Sequence, residues 1–228
     1  MHPIEQVRRV CADNGLALSD AQVDLLRAYG ELLGSWNRKL NLISRRDDQA
    51  LWFSHILHSL APWFYLRLPP DVTVLDLGSG GGLPGIPLAI LRNDLRVVLL
   101  DSIQKKTLAL EQIVQELGLP NASVRTGRAE DPSFRRSFRC EVVIARAVAP
   151  LDMLIRWSRR LLTGKGTGGP GLVAPGTLLA MKGGEVEGEI QRARVKAGAF
   201  DLEVIDLSFR DSHQFALEGK KLLVVTPS

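Results

Sequence analysis

The chain has 228 residues and a formal net charge of +4 at pH 7, with 45% hydrophobic and 24% charged residues, which is typical of one globular domain, or of one domain with an appendage. The longest apolar runs fall short of the roughly 18 residues of a membrane span, and the N-terminus lacks a signal-peptide pattern, so we expect a cytoplasmic protein without membrane contact. The two cysteines, Cys11 and Cys140, exclude a disulfide framework and a cysteine metal site.

The first 66 residues are predicted to be helical. Apolar residues recur at helical spacing in LSDAQVDLLRAYGELLGSWNRKL, and Ser19 followed by Gln22 has the pattern of a capping box. A second helix is predicted within DDQALWFSHILHSLAPWFYL, ahead of the break at Pro69 and Pro70. We therefore expect a helical extension over residues 1–68, packed on a second unit that covers residues 69–228.

From Val72 onward, short apolar runs alternate with helical patterns. This alternation predicts an α/β fold with a doubly wound, Rossmann-like sheet that is mostly parallel. Since no helix separates the last two runs, we expect them to form an antiparallel hairpin at the C-terminal edge of the sheet. The predicted strands lie in TVLDLG, LRVVLLD, ASVRTG, CEVVIARA, GTLLAMKG, LEVIDLSF and KLLVVTP.

Basic residues concentrate between Arg125 and Lys165, where ten Lys and Arg residues face four acids. Such an asymmetry indicates either a polyanionic partner or a solvated basic face, and charge alone does not decide between them. Within and beyond this stretch, the glycine- and proline-rich segment from Thr163 to Gly176 is predicted to be a surface loop, with a lid or an RNA-contacting loop as the alternative.

A glycine-rich stretch, VLDLGSGGGLPGIPLAI, follows the first predicted strand. It fits the dinucleotide fingerprint through Gly80, Gly82 and Gly85, and it fits an S-adenosylmethionine loop through Asp76, Gly78, Gly80 and Gly82. In both, glycines let the chain turn sharply under a ligand, and an acid after the second strand accepts hydrogen bonds from ribose hydroxyls. That acid is Asp101.

Asp76 separates the two possibilities. A pyrophosphate binds at a helix N-terminus because anions are favoured there, and a neighbouring carboxylate would repel it. S-adenosylmethionine instead carries a sulfonium and an ammonium group, which an acid attracts directly or through water. Asp76 therefore favours the methyl donor over NAD, and a turn without any ligand is the third reading.

The runs DLGSGGGLPGIPLAI and LLDSIQKK resemble the bacterial 16S rRNA guanine-N7 methyltransferases, the RsmG or GidB family. Further similar segments, in the same order, are WNRKLNLIS, HILHSL, GRAED, IARAVAPL and MKGG. The resemblance implies methyl transfer from S-adenosylmethionine to N7 of a guanine in the 530 loop of 16S rRNA, with the rRNA or the 30S subunit as partner. Two departures are His58, where the family usually has Asp, and the long segment from Thr163 to Gly176.

The resemblance, together with the position of residues at the carboxyl ends of the predicted strands, indicates the site residues. We expect Asp101 to hold the ribose, Ala129 and Glu130 to contact the adenine amine, and Arg146 to pair with the methionine carboxylate or a substrate phosphate. Arg146 and Lys182 are the candidates for positioning the substrate. The predicted cofactor-binding residues are Asp76, Gly78, Gly80, Gly82, Leu83, Asp101, Ala129, Glu130 and Arg146.

No general base is expected, because guanine N7 carries a lone pair and no proton. His55 and His58 are too few for a metal site, so we expect no metal and assign these histidines to packing or hydrogen bonding. A monomer is expected. An NAD-dependent oxidoreductase and a non-catalytic RNA- or nucleotide-binding module are the alternatives from other functional classes.

Overall fold

A computed structural model describes residues 2–43, 51–164, 169–210, 212–215 and 217–227. The start of the second predicted helix, residues 47–50, and the middle of the predicted loop, residues 165–168, lie outside the described residues. Among the described residues, no helix combines the length and apolar character that crossing a membrane requires.

The N-terminal part is helical, as predicted. Helix α1 is Pro3–Asp13 and helix α2 is Asp20–Leu40. The capping box is confirmed, because Gln22 N donates to Ser19 Oγ over 3.3 Å and Ser19 N donates to Gln22 Oε1 over 2.9 Å. The third helical stretch, α3, covers residues 51–64 and changes its winding along its length. It consists of π turns at Leu51–Leu57, an α turn at His58–Leu60 and 3-10 turns at Ala61–Phe64.

Within the part of the chain that the structure describes, seven strands form one sheet in the order β3-β2-β1-β4-β5-β7-β6. Strands β1 to β5 pair parallel with one another, and β7 pairs antiparallel with both β5 and β6. The predicted mostly parallel sheet with an antiparallel edge is therefore confirmed. The strands are β1 Thr73–Leu77, β2 Arg96–Asp101, β3 Ala122–Thr126, β4 Val142–Arg146, β5 Thr177–Gly183, β6 Phe200–Asp206 and β7 Lys220–Pro227.

Helices connect the parallel strands and cover the sheet. They are α4 Gly85–Leu91, α5 Gln104–Glu116, α6 Pro132–Ser137, α7 Leu151–Ser158 and α8 Glu187–Lys196. A 3-10 turn at Ser212–Phe215 lies between β6 and β7, so these two strands are joined by a longer connection than a tight hairpin turn. The chain returns through β7 to the inner position beside β5 and leaves β6 at the edge.

Two apolar layers enclose the sheet, because successive side chains of a strand point to opposite faces. Val74 of β1 packs in a layer with the N-terminal helices, α4 and α5, whereas Leu75 packs in the layer with α6, α7 and α8. Both faces are thus covered, as parallel sheets require. The N-terminal helices share the first layer with the sheet, and the boundary between residues 68 and 69 stays a prediction.

Candidate functional site

The site lies where the winding of the sheet reverses. Strand β1 pairs with β2 on one side and with β4 on the other, so the loops that follow β1 and β4 diverge and leave a crevice at the carboxyl ends of the strands. Ligands of open α/β sheets bind at such switch points. The glycine loop after β1, Asp101 at the end of β2 and Arg146 at the end of β4 all reach this edge.

The glycine loop is held by both neighbouring elements. Gly78 N and Ser79 N donate to the carbonyl oxygen of Leu100 over 2.8 and 3.0 Å, and the buried Tyr29 hydroxyl of α2 donates to Gly81 O over 2.8 Å. Gly78 has a φ of 73°, and a Cβ there would lie 2.7 Å from Val148 Cγ2. Glycine is therefore required at this turn by both backbone conformation and space.

The first of two clefts at this edge has a volume of about 320 Å³ and is called here the Glu130 cleft. Its polar wall comes from the ends of β2 and β3 and includes Asp101 and Glu130. Ile103, Val148 and Trp157 supply apolar surface. A partly apolar cleft that is also lined by carboxylates suits a nucleoside, since the base can pack on apolar side chains while its polar groups and the ribose hydroxyls find acceptors.

Asp101 joins the glycine loop to the end of β2. Its Oδ2 accepts from Gly80 N over 2.9 Å, and its Oδ1 accepts from Ile103 N over 2.9 Å. The side chain is only 8% exposed, yet it lines the cleft. Each carboxylate oxygen has more than one lone pair, so Asp101 keeps acceptor capacity for a ligand while two backbone donors fix its orientation.

Ala129 and Glu130 follow β3 and lie at the Glu130 cleft. Ala129 is buried, its carbonyl oxygen accepts from Arg135 Nε over 3.0 Å, and both residues line the Glu130 cleft. Glu130 forms an ion pair of 3.6 Å with the exposed Arg128. The neighbouring loops thus bring Asp101, Ala129 and Glu130 together around one cleft, although contact with a cofactor stays a prediction.

The second cleft, called here the histidine cleft, has a volume of about 480 Å³. It lies on the α3 and β4 side of the glycine loop. Gly78, Asp101 and Lys106 line both clefts, so the two clefts adjoin at the end of β1. The other side chains that line the histidine cleft and carry polar groups are Ser54, His55, His58, Ser79, Arg146 and Lys220.

Arg146 lies beside α3 in the histidine cleft. Its guanidinium nitrogens are 3.4 to 3.5 Å from the carbonyl oxygens of Ser54 and His55 and from His55 Nδ1, which are long contacts. Burial lowers the pKa of Arg146, while the nearby Tyr29 and Asp76 act in the opposite direction. This loosely held cation at a cleft wall is free to bind an anionic group, and its role stays a prediction.

Asp76 is completely buried rather than open to either cleft. Its Oδ2 accepts from Gly85 N over 2.9 Å at the start of α4, and its Oδ1 has no hydrogen-bond partner in the described structure. Burial raises the pKa of Asp76 to about 7. The carboxyl group therefore stabilises the turn after β1 directly, and its predicted action on a cationic ligand would have to pass through the unpartnered oxygen.

The remaining predicted cofactor-binding residues of the glycine loop differ in whether they line a cleft. Gly80 and Leu83 line the histidine cleft. Gly82 does not line either cleft, and its φ of 93° together with a Cβ site 2.4 Å from Ile86 Cδ1 explains the glycine by the turn itself. The turn alone therefore explains the glycine at position 82, and its predicted contact with the cofactor stays a prediction.

Lys182 has a structural partner. Its Nζ donates to Glu189 Oε1 over 2.6 Å and to Ala149 O over 2.8 Å, and its side chain is 15% exposed. Glu189 Oε1 also accepts from Leu151 N. This ion pair supports the loop between β4 and α7, directly after Arg146. Substrate positioning by Lys182 stays a prediction, and this geometry favours an indirect effect through the loop.

Sequence reasoning missed several cleft residues, among them Lys106, Val148, Trp157 and Lys220. Lys106 lies in the segment LLDSIQKK, one turn into α5, so its proximity to Asp101 was a usable signal. Trp157 and Val148 follow β4, and Lys220 begins β7. No nearby sequence feature indicates that Lys220 lies at the site, because the pairing of β7 with β5 brings it to the crevice.

The described residues contain no group of three or more His, Cys, Asp or Glu side chains that could hold a metal ion. Cys11 and Cys140 are both buried free thiols whose pKa is raised by burial to about 12. Neither is suited to act as a nucleophile near neutral pH.

Residues 22–214 of the chain match the family model described as rRNA small subunit methyltransferase G. The protein named ribosomal RNA small subunit methyltransferase G from Chlorobium luteolum is 41% identical over 189 residues, which cover 83% of this chain and 74% of that protein. Its namesake from Bacteroides fragilis is 36% identical over 209 residues, covering 92% and 95% of the two chains.

Two solved structures share the fold at low identity. Fibrillarin, a pre-rRNA processing protein from Methanococcus jannaschii, superposes with a TM-score of 0.52 over 74% of each chain at 14% identity. Precorrin-6y C5,15-methyltransferase from Geobacter metallireducens superposes with a TM-score of 0.50 over 83% of this chain and 92% of that chain, at 12% identity. These similarities confirm the Rossmann-like architecture.

Proposed function

The chain belongs to the rRNA small subunit methyltransferase G family, and from this premise we propose that it methylates N7 of a guanine in the 530 loop of 16S rRNA, either in the free rRNA or in the 30S subunit. S-adenosylmethionine is the methyl donor. An NAD-dependent oxidoreductase and a non-catalytic binding module have no support, because the relatives that match most of the chain are named as methyltransferases.

The observation that carries the proposal is that the two clefts adjoin at Gly78. A methyl donor needs one compartment for its nucleoside and an adjoining one in which the methyl group meets the acceptor. The Glu130 cleft offers carboxylates and apolar walls, and the histidine cleft opens beside it with Arg146 at its wall. Gly78, Asp101 and Lys106 lie at the junction.

The residues present fit S-adenosylmethionine. Asp101 would accept from the ribose hydroxyls, Ala129 and Glu130 would contact the adenine, and Arg146 would pair with the methionine carboxylate or with a phosphate of the RNA. The unpartnered Oδ1 of the buried Asp76 would supply negative potential near the loop when the carboxyl group is ionised. When bound, S-adenosylmethionine supplies a methyl group on a cationic sulfur.

The chain's own contribution to the reaction is alignment. Guanine N7 has a lone pair and no proton, so no side chain has to act as a base. Burial and the neighbouring Arg146 lower the pKa of His55 to about 4 and that of His58 to about 3, which leaves both histidines neutral at physiological pH. The residues around the clefts instead hold the acceptor base in line with the methyl group and exclude water. A paired base must first be exposed.

The test uses S-adenosylmethionine labelled in the methyl group, with 16S rRNA and 30S subunits from cells lacking this modification as separate substrates. We expect label in 7-methylguanosine within the fragment that contains the 530 loop. Absence of this nucleoside from both substrates, with folded protein present, would contradict the proposal.

Arg146→Ala provides an internal test of the site. Loss of a charge-assisted contact in the cleft should lower kcat/KM by about 10- to 100-fold. The matched control is Arg96→Ala, since Arg96 begins β2 at the opposite end of the sheet and bonds Thr73 Oγ1 and Asp71 O. A wild-type kcat/KM for Arg146→Ala would mean that Arg146 contributes neither to cofactor binding nor to substrate positioning.

A further inference from the structure

His58 lines the histidine cleft, and its imidazole ring has a nitrogen without a hydrogen-bond partner in the described structure. It lies in the α turn of α3, its residue is only 7% exposed, and it lines the cleft. Its Nε2 is buried and has no hydrogen-bond partner in the described structure. An unpaired buried polar atom costs about 1–3 kcal/mol, so such an atom in a residue that lines a cleft points to a ligand that becomes its partner on binding.

The other contacts of the ring define what Nε2 can do. The ring hydrogen-bonds to the backbone of Ser54, one turn earlier in α3. Since Nε2 has no partner, Nδ1 makes this bond and carries the ring proton. Burial, Arg146 of β4, Lys220 of β7 and His55 of α3 all lower the pKa of His58, to about 3. A neutral ring with its proton on Nδ1 leaves Nε2 as an acceptor.

The histidine cleft places His58 beside two cationic donors. Arg146 and Lys220 line the same cleft and donate hydrogen bonds only. Guanine carries the complementary pattern, with the acceptor O6 next to the donor N1–H and the donor exocyclic amine. Adenine carries the reverse pattern on the same edge, since its exocyclic amine donates and its N1 accepts. An exposed base is read through hydrogen bonds of this kind to its Watson–Crick edge.

We propose that His58 is a specificity-determining residue whose Nε2 accepts a hydrogen bond from the Watson–Crick edge of the target guanine, from N1–H or from the exocyclic amine. The inference rests on the proposed function and deepens it by naming how the base is chosen. Arg146 or Lys220 would donate to O6. Adenine is rejected because its N1 lone pair would face the lone pair of His58 Nε2.

The test couples a change in the protein to a change in the base. His58→Phe removes the acceptor at similar volume, and His58→Gln restores an acceptor close to the position of Nε2. The target guanine is replaced by inosine, which lacks the exocyclic amine, or by 2-aminopurine, which lacks N1–H and O6. These bases are introduced by ligation of synthetic RNA into 16S rRNA, and kcat/KM is measured for every pair.

We expect His58→Phe to lower kcat/KM on guanine by about 10- to 100-fold and His58→Gln to retain most of the activity. The affinity for S-adenosylmethionine should stay unchanged. In the wild type, replacing guanine by one of the two analogues should lower kcat/KM. In His58→Phe the same replacement should lower kcat/KM by a factor at least about tenfold smaller, because the hydrogen bond has already been removed. If His58→Phe does not fold, His58→Met replaces it, since its flexible side chain fills the space without a nitrogen.

Two results would overturn the inference. One is the absence of coupling between His58 and both base analogues. The other is a loss that resides in the affinity for S-adenosylmethionine, which would mean that Nε2 accepts from the methionine ammonium group. A wild type that forms no 7-methylguanosine overturns the proposed function and this inference together, whereas an active wild type without coupling overturns the inference alone.

Discussion

At the scale of single residues, Asp101 has the most defined geometry in the site, since two backbone donors fix its carboxylate at the junction of the clefts. We predict that Asp101→Ala raises the Kd for S-adenosylmethionine by about 10- to 100-fold, the effect of losing charge-assisted hydrogen bonds. Isothermal titration calorimetry measures this change. The control is Asp94→Ala, because Asp94 precedes β2 and pairs with Arg92 away from the clefts. An unchanged Kd would remove the ribose role.

Asp76 leads to a prediction about pH. Its folded-state pKa of about 7 lies above the usual 3.8, so the folded state binds the proton more tightly than the unfolded state. Its contribution to stability is present below about pH 4 and is lost as the pH rises towards 7. Asp76→Asn keeps an oxygen for Gly85 N and does not titrate. The difference in unfolding free energy, wild type minus variant, should therefore fall between about pH 4 and pH 7 and level off above that range.

Urea denaturation at a series of pH values measures this difference. The comparison with Asp76→Asn cancels the contributions of His55 and His58, whose lowered pKa values make stability rise with pH up to about 6.5. A difference that rises with pH would mean that Asp76 is ionised in the folded protein.

At the scale of elements, the packing of α2 against α3 positions the histidine cleft. A Cβ on Gly30 of α2 would lie 2.3 Å from Trp52 Cη2, whereas one on Gly34 would meet only Leu51 Cδ2, at 3.8 Å. Gly30→Ala should destabilise the protein by about 1–3 kcal/mol through overpacking. Gly34→Ala should be neutral or stabilising by up to about 1 kcal/mol, because alanine favours helix. Equal effects in urea denaturation would contradict this packing.

At the scale of the whole molecule, the basic stretch between Arg125 and Lys165 belongs mainly to the side of the sheet that α6 and α7 cover. Helix α1 packs on the other side of the sheet. If the face with α6 and α7 binds the RNA, affinity for 16S rRNA should fall steeply between about 50 and 200 mM salt, and Arg136→Ala or Arg160→Ala should each reduce the slope by up to about 0.9. Both side chains are exposed. Arg9→Ala on α1 is the control. Equal slopes for all three variants, measured by filter binding, would exclude this face.

Local patterns were sufficient for much of the fold. The capping box at Ser19 and the apolar runs of the strands depend on residues close together in the sequence, so they could be predicted from it. The parallel core of the sheet followed from the alternation of strands and helices. The place of β7 between β5 and β6 could not be predicted, because strand pairing over long distances is not encoded in any one segment.

The sequence by itself determined the family, the Rossmann-like class and the cluster of Gly78, Asp101 and Arg146 at one edge of the sheet, since parallel strands end on the same side. Only the tertiary structure decided which polar groups are already satisfied. It buried Asp76 against Gly85, paired Lys182 with Glu189, and brought His58 and Lys220 to one cleft. The physical reason is that burial and hydrogen-bond partners come from residues far apart in the chain, and these contacts fix which side chains stay available to a ligand.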